Sequence, residues 1–255
     1  MLSPDEEAAV AEQFGVARNQ VRRDHLISHL LAALAAHAGD QLVFFGGTAL
    51  SRTFAPNGRL SEDIDLIATG RRREVAEVVQ DGLLRATRRE FPGLRWQPPL
   101  TAVRETEPAI LTTADSLAVR IQLLRSDGYP AWPTITRSLV QRYSDAPSAA
   151  LIVFTPASFA ASKTMAWTDR AASRDLFDLW LLAESGAISS EAAQLFRKYG
   201  PTNEPPTRNL FAQALDETVW RRDLAGQTRL HITAEEALTI VRNAWDSVSW
   251  RLHPA

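Results

Sequence analysis

The pattern of the sequence changes near residue 150. Before that point, short apolar runs typical of strands alternate with segments of helical spacing, and the last apolar run covers residues 151–154. A Thr155-Pro156 pair follows, which supplies a capping side chain and a proline at the first helical position. The pattern predicts an α+β, bilobed protein. Residues 1–150 would form a lobe with a mixed β-sheet and flanking helices, and residues 151–255 an α-helical lobe.

Hydrophobic periodicity and turn residues place the individual elements. Strands are predicted at residues 42–45, 63–67, 94–97, 109–113, 117–124 and 151–154. Helices are predicted at residues 18–38, 49–54, 71–90, 157–168, 174–184, 190–198, 208–221 and 234–249.

Composition removes several classes of site. The chain has no cysteine, which excludes disulfides, thiolate metal sites and cysteine nucleophiles.

The formal net charge of -2 gives no global attraction to nucleic acid, so an RNA contact needs a local basic surface. No segment reaches the roughly 18 apolar residues of a membrane span, and the N-terminus lacks a signal pattern. We expect a cytoplasmic protein with no membrane partner.

A pair of aspartates, Asp63 and Asp65, lies in a predicted strand. Side chains alternate across a strand, so the two carboxylates point to one face and their Cα atoms lie roughly 6.5 Å apart. Carboxylates at that spacing are able to converge on one hard cation or on a pair of ions. The alternative is a solvated acidic strand end.

Two glycines and a threonine, Gly46, Gly47 and Thr48, directly follow the strand at residues 42–45. Glycine lets the backbone approach a phosphate closely, and amides at a helix N-terminus favour an anion. Taken alone, a Gly-Gly pair indicates an ordinary turn. Combined with a carboxylate strand shortly downstream, it supplies an anion cradle and a metal clamp, the two halves of a phosphoryl-transfer site.

These residues resemble the signature of the AbiEii/MenT nucleotidyltransferase toxins, within the DNA polymerase β-type nucleotidyltransferase superfamily. The resemblance is carried by residues 46–50 (GGTAL) and 59–66 (RLSEDIDL). Residues 163–170 (KTMAWTDR) and 174–179 (RDLFDL) are similar to the family's downstream motifs. It spans roughly residues 40–185, and the remaining segments match only in being helical.

The resemblance implies a role for each motif residue. Asp63 and Asp65 would hold Mg²⁺, and Gly46, Gly47 and Thr48 would cradle the outer phosphates of a nucleoside triphosphate. Lys163 is one of only two lysines in the chain, and it would pair with the triphosphate as a point charge. The alternative for Lys163 is an ordinary lysine on a helix surface.

Two further aspartates, Asp175 and Asp178, are candidate accessory residues of the site. Asp175 and Asp178 are three residues apart on a predicted helix, and one of them, Asp175 by preference, would orient Lys163 or the attacking hydroxyl. Its alternative is a structural partner for Arg170 or Arg174.

Arg52 and Arg59 flank the glycines and are candidates for contact with the nucleotide. The alternative for each is a solvated loop arginine. Ser61 precedes Asp63 by two residues, so a phosphate there would compete for metal and repel nucleotide. This position motivates a hypothesis of regulation by phosphorylation.

One position departs from the superfamily pattern. A third carboxylate usually lies on a later strand, and the corresponding residue here is Gln122, which brings no charge. Either Asp115 or Asp127 substitutes, or the site works with fewer strong metal ligands.

The resemblance implies an enzyme that transfers a nucleoside monophosphate, by expectation a pyrimidine nucleotide, to the 3′ acceptor end of tRNA. Pyrophosphate is released, aminoacylation is blocked and growth stops. A cognate antitoxin encoded nearby would be the protein partner. Two alternatives stay open, namely a small-molecule nucleotidyltransferase of the antibiotic-modifying type and a catalytically weak nucleotide-binding regulatory protein.

Overall fold

The computed structural model describes residues 1–252, and their side chains through residue 248. The chain divides into two compact units, Met1–Val153 and Phe154–Ala255. The α+β fold class with a mixed sheet is confirmed. The assignment of residues 1–150 and 151–255 to two domains stays a prediction, and residues 253–255 lie outside the described part of the chain.

The first unit contains a seven-stranded sheet and four α-helices in its described residues. The helices are α1 Pro4–Phe14, α2 Arg18–Ala38, α3 Gly46–Thr53 and α4 Arg72–Ala86, and a 3₁₀ helix covers Gly39–Gln41. The strands are β1 Leu42–Phe45, β2 Asp63–Ala68, β3 Arg95–Trp96, β4 Ala109–Thr112, β5 Ala118–Arg125, β6 Thr134–Ser138 and β7 Ala150–Phe154. Their order in the sheet is β3-β4-β5-β2-β1-β7-β6.

Strand β2 lies at the centre of this sheet. It pairs antiparallel with β1, which sets Phe45 opposite Asp65, and parallel with β5, which sets Gln122 on the other side of Asp65. Ile64 and Leu66 are fully buried, whereas the two aspartates on the opposite face are half-buried. Strand alternation thus holds both carboxylates at one face, as the sequence predicts.

A buried ion pair joins α2 to α3. The Arg52 side chain is fully buried and donates to Asp24 Oδ1 at 2.8 Å and to the Val140 carbonyl at 3.0 Å. Asp24 Oδ2 accepts from the Tyr143 hydroxyl at 3.0 Å, and burial together with the Asp24 charge raises the pKa of Tyr143. The predicted nucleotide contact of Arg52 is therefore wrong, because its guanidinium is committed to the protein interior.

The second unit is helical in its described residues after β7. Its helices are α5 Pro156–Arg170, α6 Ser173–Glu184, α7 Ser190–Tyr199, α8 Glu217–Leu224 and α9 Ala234–Leu252. Thr155 caps α5 by accepting from the Ser158 amide at 3.2 Å, as its sequence indicates. The buried indoles of Trp167 and Trp220 donate to backbone carbonyls, so this core satisfies the polar atoms of both large side chains.

Four sequence-based assignments need correction. The helix predicted at 208–221 is a short 3₁₀ helix, Arg208–Phe211, followed by α8, because Asp216 accepts from two backbone amides and begins a new helix. Helix α3 begins at Gly46, three residues earlier than predicted. Helix α1, which begins with a Ser3–Glu6 capping box, and the exposed strand β6 were missed.

We expect Arg52→Met to lower the free energy of unfolding of the protein by about 3–5 kcal/mol, because it leaves the Asp24 carboxylate buried without its main cation. Urea unfolding followed by circular dichroism measures the change. Arg73→Met is the matched control, since Arg73 is exposed on α4 and should leave the midpoint nearly unchanged. Equal midpoints for the two variants would contradict a structural role for Arg52.

Candidate active site

The Asp65 carboxylate lies against the first residue of α3. A Cβ added at Gly46 would overlap this carboxylate, so only glycine allows the approach. Gly46 also has a left-handed φ of 78°, which side chains rarely adopt. A negative charge at a helix N-terminus interacts favourably with the helix dipole. The strand and the helix therefore position Asp65 through one close contact.

Gly47 lies against a second charged group. A Cβ there would overlap the Arg59 guanidinium and come within 3.2 Å of Ser61 Oγ. The Thr48 hydroxyl donates to the Asp63 carbonyl, which attaches α3 to β2. The two glycines thus make room for charged side chains of the protein itself, and the Thr48 hydroxyl has a structural partner. The predicted phosphate contacts of these three residues stay a prediction.

Arg59 and Ser61 form a buried pair beside the aspartates. Arg59 is 4% exposed and its Nη1 lies 3.4 Å from Ser61 Oγ, while Ser61 is 8% exposed. A kinase needs an accessible hydroxyl, so the burial of Ser61 argues against the phosphorylation hypothesis. Arg59 instead places a cation next to the Gly47 end of α3, which makes the surroundings of the aspartates less negative.

The neighbouring strand β5 carries no acid opposite the aspartates. Arg120 is paired with Asp63 in the sheet, with 3.9 Å from its Nε to Asp63 Oδ1. Gln122 is paired with Asp65, and its Nε2 donates to the Glu105 carbonyl at 3.0 Å. The amide of Gln122 is thus turned towards the segment before β4.

Neither alternative acid completes the pair. The one cluster of three metal-ligating side chains among the described residues does not include Asp63 or Asp65. Asp115 accepts from Thr113, and Asp127 is exposed. The structure therefore favours a site with two carboxylates over substitution by Asp115 or Asp127.

Tyr129 is a site residue that the sequence analysis missed. Its ring packs 5.7 Å from the Phe45 ring, next to the start of α3. Burial raises the pKa of Tyr129 to about 12, and the nearby Asp65 charge adds to this effect. The phenol is therefore a neutral hydrogen-bond donor at neutral pH. The available signal was an aromatic residue between Gly128 and Pro130, in the loop that follows β5.

Lys163 is held by two carboxylates within the helical unit. Its Nζ lies 3.3 Å from Asp175 Oδ1 and 2.7 Å from Asp178 Oδ2. Arg170 Nε lies 2.6 Å from Asp175 Oδ2, so Asp175 contacts two of the three cations that the sequence offered as partners, Lys163 and Arg170. Both aspartates are buried and Lys163 is 8% exposed, which excludes the alternative of a solvated helix-surface lysine.

The aspartate pair fits a hard divalent cation such as Mg²⁺. Mg²⁺ prefers oxygen ligands and usually keeps several waters, so one or two carboxylates are sufficient protein ligands. Both carboxylates lie on the same face of β2 and remain half-buried, which leaves access for a solvated ion and its substrate. A negative pair beside a helix N-terminus and Arg59 is an arrangement suited to metal-assisted phosphoryl transfer.

The sequence model of the family described as "Nucleotidyl transferase AbiEii toxin, Type IV TA system" matches residues 29–248. The chain belongs to this family. The match confirms the resemblance seen in the motifs and extends it through most of the helical unit. The protein is thus a nucleotidyltransferase-family toxin of a toxin–antitoxin system.

Two solved structures share the fold. MenT4, a nucleotidyltransferase toxin from Mycobacterium tuberculosis H37Rv, is similar with a TM-score of 0.67 and 20% identity, covering 94% of this chain and 88% of that chain. A candidate nucleotidyltransferase from H. pylori is similar with a TM-score of 0.56 and 15% identity, covering 93% of this chain and 97% of that chain. Comparison with the curated proteins gave no match. At these identities the structures establish the fold.

We expect Gly46→Ala to destabilise the protein by at least about 1–2 kcal/mol, because a side chain is strained at this left-handed φ. It should also weaken Mn²⁺ binding, since the added Cβ displaces the Asp65 carboxylate. Urea unfolding and Mn²⁺ titration by electron paramagnetic resonance measure both effects. Gly70→Ala is the control, because nothing lies within 4 Å of its added Cβ. Wild-type Mn²⁺ affinity in Gly46→Ala would contradict the close contact.

Proposed function

We propose that this family member transfers a nucleoside monophosphate from a nucleoside triphosphate to the 3′ acceptor end of tRNA. The observation that carries the proposal is the placement of Asp63 and Asp65 on one face of β2, with the Asp65 carboxylate against the N-terminus of α3. The membership of the chain in a nucleotidyltransferase toxin family supports the reaction class. Blocked aminoacylation would then stop growth.

Asp63 and Asp65 are proposed to bind Mg²⁺, which supplies charge neutralisation on the triphosphate when it is bound. The amides of the first turn of α3, at Gly46, Gly47 and Thr48, would bind phosphate oxygens. Arg59 adds positive charge on the same side. Tyr129 would donate a hydrogen bond at the edge of the site, because its phenol stays protonated.

The bond changes define what the residues must position. The acceptor hydroxyl oxygen forms a bond to the α-phosphorus, the bond from that phosphorus to the bridging oxygen breaks, and pyrophosphate leaves while the hydroxyl proton is released. We propose that Lys163 pairs with the triphosphate and stabilises the departing charge. Asp175 and Asp178 are positioning residues, since they hold the Lys163 ammonium.

The acceptor and the nucleotide follow from the family proposal. A tRNA acceptor would need a basic surface, and exposed arginines near the C-terminal end of α4 supply one, at Arg85, Arg88 and Arg89. A pyrimidine nucleotide is the proposed donor.

In the described residues, no helix is both long and apolar enough to span a membrane. We propose that the toxin acts in the cytoplasm and is neutralised by an antitoxin encoded nearby.

A second candidate function rests on Gln122. Because Gln122 stands where a third carboxylate is usual, a site with two carboxylates supports nucleotide binding with slow chemistry, as expected for a regulatory protein. A small-molecule acceptor stays a further outcome of the same experiment.

Incubation with each α-labelled nucleoside triphosphate, Mg²⁺ and total tRNA tests the reaction. We expect label on tRNA with wild-type protein and at least about a 100-fold lower rate with Asp65→Asn, since a metal carboxylate is removed. Asp81→Asn is the matched control, because Asp81 is exposed on α4. Label on small acceptors but not on tRNA would contradict the tRNA proposal, and nucleotide binding without transfer would favour the regulatory function.

We expect Lys163→Met to lower kcat/KM for the nucleoside triphosphate by about 100-fold, through loss of a charge contact with the phosphates. Lys198→Met is the matched control, since Lys198 is the other lysine and is exposed. The unfolding midpoint of each variant is measured alongside, because Lys163 also neutralises two buried aspartates. A folded Lys163→Met protein with wild-type kcat/KM would refute the proposed role of Lys163.

A further inference from the structure

Two histidines and an aspartate converge in the first unit, in a group with no part in the proposed reaction. His25 and His29 are one helical turn apart on α2, and Asp145 lies in the segment between β6 and β7. His25 Nε2 lies 3.2 Å from His29 Nε2 and 3.0 Å from Asp145 Oδ2, and His29 Nε2 lies 3.4 Å from the same Asp145 Oδ2. The three donor atoms thus form a nearly equilateral triangle.

This spacing is the one that a tetrahedral metal ion requires. Zinc binds imidazole nitrogen and carboxylate oxygen at about 2.0–2.1 Å, which puts neighbouring ligand atoms about 3.3 Å apart. The observed distances of 3.0, 3.2 and 3.4 Å bracket that value. Two histidines and a carboxylate are also a common set of three protein ligands for zinc.

Hydrogen bonding alone does not satisfy these three groups. If both Nε2 atoms carry protons, two N–H donors face each other at 3.2 Å. If either Nε2 is unprotonated, its lone pair faces a carboxylate oxygen of Asp145. Every tautomer therefore leaves one contact between like groups, whereas a cation at the centre is attracted by all three ligands.

The surroundings suit a metal site. His25 is 6% exposed and His29 is 5% exposed, and the ring of Phe91 packs 5.6 Å and 5.4 Å from their rings. Burial lowers the pKa of His25, against the opposing effect of Asp145, which favours the neutral imidazole that binds metals. Asp145 also pairs with the amino group of Met1 at 2.6 Å, so its carboxylate is ionised. An apolar, aromatic shell restricts solvent at such sites.

A cavity of about 630 Å³ gives access to the cluster. His25 and Asp145 line it, together with Phe91 and the basic side chains of Arg22 and Arg89. A route for an ion and room for a fourth ligand are therefore present on the same side. Water is a suitable fourth ligand there, because the lining carries acidic side chains, Glu7 and Glu90, as well as the two arginines.

We propose that His25, His29 and Asp145 bind one zinc-class divalent cation, with the fourth coordination position open to this cavity. The ion joins α2 to the segment between β6 and β7 and so stabilises the first unit. It differs in chemistry from the aspartate pair on β2, since imidazole ligands favour zinc and oxygen-only ligands favour magnesium. The two sites therefore select different ions in the same protein.

The test uses the tag-free full chain after removal of metals with a chelator. Zn²⁺ is titrated by calorimetry in the presence of millimolar Mg²⁺, and Co²⁺ is added separately to record the absorption bands of a tetrahedral site. We expect one Zn²⁺ per chain, and a higher unfolding temperature with Zn²⁺. An Asp63→Asn, Asp65→Asn double variant should bind Zn²⁺ like the wild type, which separates the two sites.

His29→Gln should bind Zn²⁺ at least about 100-fold more weakly, because it removes a direct ligand. Asp145→Asn should give the same loss through a second ligand, which guards against misfolding of one variant. His37→Gln is the matched control, since His37 is exposed on the same helix, and it should bind like the wild type. Absence of stoichiometric Zn²⁺ binding by folded wild type, or wild-type Zn²⁺ affinity in both ligand variants, would overturn the proposal.

Discussion

The contact between Asp65 and Gly46 determines how the rest of the site is built. A strand supplies the carboxylate and a helix supplies the N-terminus that receives it, and the two meet only because Gly46 has no side chain. Phe45 and Asp65 are paired in the sheet, so the end of β1 and the acidic end of β2 are held in register. The negative charge and the helix dipole stabilise each other at this position.

Two arginines close to this contact, Arg52 and Arg59, direct their guanidinium groups to different places. Arg52 lies within α3 and is turned into the interior, where Asp24 neutralises it and α2 is joined to α3. Arg59 lies just before β2 and is directed at Gly47, so its charge is kept beside the aspartates. Burial alone does not separate the two roles, since both side chains are almost fully buried. The direction of each guanidinium separates them.

Local sequence patterns predicted the elements that carry the site. The apolar run of β1, the alternation of β2 and the glycines between them are short-range signals, and all three elements formed. The burial of the Arg52 side chain depends on its ion pair with Asp24, which is 28 residues away in the sequence. No periodic pattern in the sequence predicts that ion pair. Tyr129 was missed because a loop aromatic has no spacing rule that relates it to Asp65.

The other errors of the sequence-based prediction also have physical causes. Strand β6 is exposed along its whole length and therefore has no alternation to detect. The segment at 208–221 has helical composition, but Asp216 caps a new helix inside it. The cluster of His25, His29 and Asp145 combines an i, i+4 pair with a residue about 120 positions away, so only the folded chain brings it together.

Diffraction from crystals grown with Mn²⁺ and a non-hydrolysable nucleoside triphosphate tests the central claim most directly, because the anomalous signal locates the ion. We predict Mn²⁺ bound by Asp63 and Asp65, with the triphosphate at the N-terminus of α3 and Lys163 in contact with its phosphates. Mn²⁺ and nucleotide bound elsewhere, with both aspartates away from the metal, would contradict the account.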